Sequence, residues 1–291
     1  PDNFYITNPS IGRSVTVEQL VEKYSKETEE QGRRVFLAKH LNVEIGQALR
    51  SNRWAGVEFW QRQTDETLTY ESLLERSEVV VIGIDGGGLD DLFGLSVIGR
   101  DKNTKHWLSW SHAWAHESVL ERRKSIAPVL RDYEQQGDLT IVDDSLDDIS
   151  QIIEIIADIK QRDLLACVAV DPAGLGELIE CLAAIDITPE NKQVIGVPQG
   201  YMMMNAIKTA ERKIAGGTFW HAKSGLMDWC VSNLKIEPTA TAIRATKQNA
   251  GDAKIDPAMA MFDAVTVMSR NPEPPINAAM NAYFASLGDN S

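Results

Sequence analysis

Three aspartates in this chain occupy one kind of position. Asp85 closes the apolar, β-branched run Val79–Ile84 and is followed at once by Gly86, Gly87 and Gly88. Asp171 closes a second apolar run, Leu164–Val170, and Asp256 opens a helical stretch, Pro257–Met268, that follows a strand-like segment. Runs of this composition read as buried strands, so the carboxylates sit where strand ends and a helix N-terminus can converge. Carboxylates gathered at one point repel unless a cation neutralises them. Oxygen-only ligands select hard ions, which makes Mg²⁺ or Mn²⁺ the expected occupant. Two such ions about 4 Å apart activate a water and stabilise the leaving oxygen in phosphodiester hydrolysis. Asp263 falls seven residues after Asp256, on the same helical face, as a fourth ligand or a group behind one.

Each aspartate alone has a plainer reading. Asp85 can belong to an acidic hairpin turn, Asp171 before Pro172 to a turn, and Asp256 before Pro257 to an ordinary helix cap. Asp90 and Asp91 read as a solvated turn. The metal reading rests on three such positions coinciding, and Asp143 or Asp144 stands as the replacement if Asp171 is not the third member.

The elements that position these residues begin near Glu78. Val79–Ile84, Leu92–Ile98 and His106–Ser111 follow one another with short connections, which predicts an antiparallel meander. A long helix is expected over His116 to Gln136, ended by Gly137, then a strand at Leu139–Val142 and a helix at Leu146–Gln161 with Ile149, Ile152, Ile153 and Ile156 on its buried face. After the Leu164–Val170 strand come helices at Leu175–Ala184, Met202–Ala215 and Gly225–Leu234 and strands at Val194–Val197 and Ala240–Ala245. Thr246 to Ala253 reads as a basic loop, and Pro257 suits the first turn of the last helix. The fold class expected is α/β: a mixed sheet, antiparallel meander plus parallel strands, with helices on both faces.

Three segments are expected: 1–77 as a helical or linker lead-in, 78–271 as the main domain and 272–291 as a loose Pro- and Ala-rich tail. In the lead-in, Thr16 and Gln19 suggest a capped helix with Leu20, Val21 and Tyr24 on one face. Ser51 to Thr69 reads as an aromatic loop, with Trp54, Phe59 and Trp60 packing on a neighbouring surface or stacking on bases.

The 291 residues are 43% hydrophobic, enough for a large core, and carry a net charge of -13. That balance argues against a simple nucleic-acid coat, but acids cluster from Asp138 to Asp163 while bases outnumber acids from Lys192 to Lys254, where a polyanion could bind. No apolar run reaches the roughly 18 residues of a membrane span. Cys167, Cys181 and Cys230 lack metal-site spacing and suit a reducing compartment, so a soluble cytoplasmic protein is expected.

The motifs Asp85-Gly86-Gly87-Gly88-Leu89-Asp90-Asp91-Leu92, Asp171-Pro172-Ala173-Gly174 and Lys254-Ile255-Asp256-Pro257-Ala258-Met259-Ala260-Met261 resemble the nuclease-domain motifs of the large terminase subunit of tailed bacteriophages. Trp229-Cys230-Val231-Ser232-Asn233, Lys247 and the segment from His40-Leu41-Asn42 through Trp54 and Phe59 extend the resemblance over most of the chain. It implies an RNase H-like nuclease, acting in the host cytoplasm, that cuts concatemeric double-stranded viral DNA during genome packaging. Asp85, Asp171 and Asp256 would be its metal-binding catalytic triad, and Lys247, Lys254 and Arg244 would meet the DNA backbone. The small terminase subunit, the portal and a packaging ATPase domain would be its partners. This chain holds no Gly-x-x-x-x-Gly-Lys-[Ser/Thr] phosphate loop, so no ATP hydrolysis is expected of it.

Two other readings compete. An actin- or sugar-kinase-like ATPase also places an aspartate and glycines after its first strand, but needs a second Asp-x-Gly-Gly-type turn that Asp171-Pro172-Ala173-Gly174 does not supply. A non-catalytic docking module of a packaging complex would suit the acidic surface and the tryptophans.

Overall fold

The strand Ser77–Gly86 is the spine of the structure: Val79, Val81 and Asp85 point to one face, Val80, Ile82 and Ile84 to the other, and all are buried. The computed structural model describes residues 4, 11–12, 15–26, 33, 36–37, 40, 52–144, 146–171, 176–198, 201–239, 242–247 and 252–275. The chain divides into Pro1–Ser51 and Asn52–Ser291. In the first unit, helix α1 (Val17–Lys26) begins with the expected reciprocal cap, in which the Gln19 N–H donates to Thr16 Oγ1 and the Thr16 N–H to Gln19 Oε1. Leu20 is buried, but Val21 and Tyr24 are exposed; Tyr24 meets the Phe36 ring at 5.4 Å.

The second unit runs α2 (Val57–Trp60), β1 (Thr64–Asp65), α3 (Tyr70–Arg76), β2 (Ser77–Gly86), β3 (Leu92–Asp101), β4 (Trp107–His116), α4 (Ser118–Arg122), α5 (Ala127–Gln136), β5 (Leu139–Val142), α6 (Asp147–Gln161) and β6 (Leu165–Val170). Then follow α7 (Gly176–Ala184), β7 (Val194–Gly196), α8 (Tyr201–Ala215), β8 (Phe219–Ala222), α9 (Gly225–Ser232), β9 (Leu234–Pro238), β10 (Ile243–Lys247) and α10 (Asp256–Met268). The main sheet is ordered β1-β8-β4-β3-β2-β6-β7, with β5 also on β4. β2, β3 and β4 form the expected antiparallel meander. The β2–β6, β6–β7, β4–β5, β4–β8 and β1–β8 pairs are parallel.

Helices cover both faces. α5, α8, α9 and α10 contribute to one apolar cluster, and α3, α6 and α7 to the other. In α6, Ile152, Ile156 and Ile159 are buried and Ile149 and Ile153 pack half-buried against the same cluster, so the expected face is the inner one, extended to Ile159. α10 is buried over all its residues. A helix apolar all round belongs inside a core, and its two aspartates are the exceptions that need a reason.

Several expectations change. The helix expected over His116–Gln136 is split, because β4 stays in register with β5 up to His116 and Pro128 near the start of α5 suits a new first turn. Gly137 does end α5, at φ +80°. β8 and β9 take the place of expected connections, and the strand expected at Ala240–Ala245 is Ile243–Lys247, in a hairpin with β9, so Thr246 and Lys247 are strand rather than loop. Residues 240–241 and 248–251 lie outside the described ones.

The aromatic segment after Ser51 is part of the fold. Trp54 and Trp60 are buried, the Trp60 ring stacks on His221 at 3.8 Å, and its Nε1–H donates to Asp228 Oδ1 at 2.8 Å. The Ile236 N–H donates to Asn52 O at 2.6 Å, and β1 pairs with β8 at the sheet edge. Of the tail expected at 272–291, residues 276–291 lie outside the described ones. The Arg100 guanidinium bonds Asn271 Oδ1 and Pro272 O where it begins. Among the described residues no helix is long and apolar enough to cross a membrane.

Candidate metal centre

Asp85 and Asp171 come together through strand register. Ile84 of β2 faces Val170 of β6 in a parallel pair, so the aspartate after each stands at the same edge of the sheet, and the Asp171 N–H reaches Ile84 O at 3.4 Å. Cys167 and Ala169 point to the face shared by Val81 and α10, which puts Asp171 and Asp85 on that face by the period of two.

Glycines bring α10 onto that edge. A Cβ on Gly83 would collide with the Ala260 carbonyl oxygen and lie 2.7 Å from Ala264 N. One on Gly94, the residue opposite Asp85 in β3, would lie 2.5 Å from Pro257 N. The helix backbone therefore rests directly on the strands. Asp256 sits over Gly86, where an added Cβ would come within 3.2 Å of the Asp256 Cβ. Gly86 also has φ +92°, a conformation that side chains other than glycine rarely adopt.

The electrostatics follow from this packing. Burial, then the charges of Asp256, Asp171 and Asp91, push the Asp85 carboxyl well above its usual range. Burial followed by Asp85 and Asp171 does the same for Asp263, which is 0% exposed. Asp256 is pushed up to about 7 by burial and by Asp91. Four of the sequence-predicted residues thus act on one another across the β2–β6–α10 junction.

Asp91, read from the sequence as a solvated turn, belongs here as well. Burial acts to raise its carboxyl, but Lys247 and Lys254 outweigh that and hold it low. Lys254 Nζ donates to Asp91 Oδ1 and Lys247 Nζ to Asp91 Oδ2, each at 2.7 Å. The signal available was that Asp91 opens the buried strand β3 next to the end of β2, a mirror of Asp85. Asp90 forms a two-point pair with Arg123, and Ser118 Oγ donates to Leu89 O, so the Gly86–Asp91 loop is fastened on several sides.

The remaining predicted residues fall elsewhere. Lys254 is 1% exposed and turned inward, which takes it off the surface that a DNA backbone would meet. Arg244 is exposed on β10 opposite Glu237. Asp143 and Asp144 line a recess with Leu89, His116 and Asp147.

The donor set fits a hard divalent cation. Its groups are carboxylates, and Asp256 Oδ2 and both Asp263 oxygens are buried with no hydrogen-bond partner. Buried polar atoms are seldom left in that state, and an ion would satisfy them. As they stand, no three His, Cys, Asp or Glu side chains among the described residues are arranged to hold a metal, so closing on an ion requires side-chain movement.

A family model described as terminase large subunit, endonuclease domain, matches residues 1–271. The chain belongs to that family. Among solved structures, this terminase nuclease chain is similar to the large terminase of bacteriophage HK97, with a TM-score of 0.57 at 19% identity, over 91% of this chain and 53% of that one. It therefore spans about half the length of the HK97 protein. At that identity the likeness speaks for the fold, which is the RNase H-like mixed sheet of terminase nucleases. The large terminase nuclease of thermophilic phage G20c is 14% identical, with a TM-score of 0.42 over 64% of this chain and 80% of that one. Its magnesium-bound form scores 0.37 over 65% and 80%. Likenesses that distant carry no argument for this terminase nuclease. No curated protein matches it.

Proposed function

We propose that this chain is a Mg²⁺- or Mn²⁺-dependent endonuclease that cuts double-stranded viral DNA concatemers during genome packaging. The observation that carries the reading is the convergence of Asp85 and Asp171, at adjacent strand ends, with the buried and partnerless oxygens Oδ2 of Asp256 and Oδ1 and Oδ2 of Asp263. Asp85, Asp171 and Asp256 form the triad that holds the ions, two in number, with Asp263 as a further ligand or the group behind them. When bound, such ions act as Lewis acids and lower the pKa of a coordinated water. The protein's own part is to hold the carboxylates of Asp85, Asp256 and Asp263, beside Asp171, in a setting that disfavours the charge of those three, so that divalent cations are drawn in. Gly86, Gly87 and Gly88 leave the loop beside Asp85 free of side chains, which lets a phosphate backbone come close. Arg244, exposed on the hairpin, meets that backbone. Lys247 stands at the rim of the cluster, where it too can reach a phosphate. Lys254, from inside, holds Asp91 in place.

The packaging motor, the small terminase subunit and the portal are the partners this role requires, and the host cytoplasm is where it is played. The test is cleavage of supercoiled plasmid by the purified chain. With Mn²⁺ or Mg²⁺ it nicks and linearises the DNA with little sequence preference, and excess EDTA, Asp85→Ala or Asp256→Ala each abolish cutting. Cleavage that survives EDTA or both substitutions overturns the reading.

A further inference from the structure

Asp91 is held at both oxygens by lysines that differ in what fixes them. Lys254 is 1% exposed, and its ammonium also donates to Asp90 O at 2.6 Å while its carbonyl accepts from Asn233 Nδ2 at 3.3 Å. Withdrawing it would strand a charge in the interior, which is strongly unfavourable. Lys247 is at the end of β10, its side chain is 30% exposed, and its ammonium donates to Asp91 Oδ2 at 2.7 Å. It also lies in the field of Asp256 and Asp85. Of the two cations, Lys247 is the one that can leave without crossing the core.

Charge points the same way. Lys247 sits among Asp91, Asp256 and Asp85, in the same carboxylate cluster that a divalent cation would enter. An ammonium next to carboxylates and an arriving divalent cation compete for the same oxygens, since both are stabilised by the same negative field.

We propose that Lys247 is a built-in counter-ion of the carboxylate cluster, which holds Asp91 in the metal-free protein and is displaced from it when a divalent cation enters. The inference rests on the metal-site reading above and adds a role for Lys247 before DNA arrives. Once displaced, the Lys247 side chain has only to swing outward, and Asp91 Oδ2 is freed towards Asp256. Lys247 is a positioning residue in this account, and its effect is read in metal affinity rather than in turnover.

The test titrates Mn²⁺ into the metal-free full chain by calorimetry, comparing the parent with Lys247→Met and Lys247→Arg, and follows melting in EDTA and in Mn²⁺. The expected result is Mn²⁺ binding about tenfold tighter in Lys247→Met, equivalent to about 1.4 kcal/mol. That variant melts lower than the parent in EDTA and regains the difference in Mn²⁺, while Lys247→Arg behaves as the parent. A Mn²⁺ affinity for Lys247→Met within twofold of the parent, or weaker, overturns the proposal. If Lys247→Met does not fold, a Mn²⁺-soaked crystal of the parent decides: Lys247 Nζ beyond hydrogen-bond reach of Asp91 supports the proposal, and the pair intact beside a bound ion overturns it. Tighter Mn²⁺ binding in a protein that does not cut DNA upholds this inference while the nuclease reading fails. No Mn²⁺ binding to either form removes both.

Discussion

Asp85 and Asp171 each stand one residue past the Ile84–Val170 register pair, at the ends of two adjacent parallel strands. Their meeting is therefore fixed by the backbone hydrogen bonds between β2 and β6. Asp256 and Asp263 come from the other side, on a helix that the glycines of β2 and β3 allow to sit directly on those strands. The backbone of the candidate site is thus carried by strands and a helix, and its side chains would have to move to close on an ion.

On the proposed reading, replacing one of these carboxylates by its amide keeps the shape and removes a ligand. Asp85→Asn and Asp256→Asn should each lower Mn²⁺-dependent plasmid cleavage by more than the roughly 10- to 100-fold expected from loss of a group outside the metal's own ligands. Initial rates of nicking at saturating Mn²⁺ check this, and circular dichroism should show the fold unchanged.

Asp263 predicts a pH dependence. Its folded-state carboxyl is held well above the usual range by burial and then by Asp85 and Asp171, so folded protein keeps a proton that unfolded protein releases. That contribution is fully present below the ordinary aspartate value of about 4 and is lost as pH rises towards the folded value. Asp263→Asn cannot lose it. In EDTA, the melting temperature of Asp263→Asn relative to the parent should therefore climb as pH rises above the ordinary aspartate value of about 4. Saturating Mn²⁺, which satisfies the carboxylate in the parent, should shrink the difference.

Gly83→Ala tests the seating of α10. The new methyl group would meet the Ala260 carbonyl and the Ala264 amide, so the helix must move. Overpacking of this kind costs about 1–3 kcal/mol, and here it should also weaken Mn²⁺ binding, because Asp256 and Asp263 move with the helix. Gly176→Ala, which meets open space, should leave both melting and binding unchanged.

How much of this could be read beforehand depended on where each signal lies. β2 and β6 were legible because uninterrupted apolar runs announce strands buried on both faces, and their terminal aspartates followed at once. β8 was not, since Phe219–Ala222 is too short to show a period and becomes a strand only by pairing with β1 and β4. Asp91 looked like a solvated turn because its partners, Lys247 and Lys254, lie more than 150 residues away in sequence. The seat for α10 was equally hidden, because glycine in a strand does not reveal what will lie against it. The place of Trp54 and Trp60 in the core was foreseen only as packing on some neighbouring surface.

That last point bears on domain limits. Trp60 stacks on His221 and bonds Asp228, and Trp54 meets the Phe262 ring of α10 at 5.3 Å. A fragment of residues 78–271 lacks both tryptophans and β1, and it should be less soluble and melt well below a fragment of residues 52–275. Trp60→Ala in the longer fragment should cost about 3–5 kcal/mol. Thermal melts by circular dichroism decide it, and equal stability of the two fragments would count against an integrated Asn52–Ser77 segment.

The most direct measurement of the central claim is anomalous diffraction from crystals soaked in Mn²⁺. The account predicts manganese peaks ringed by Asp85, Asp171 and Asp256, with Asp263 beside them. Peaks at other carboxylates only, or none among these residues at saturating Mn²⁺, would contradict it.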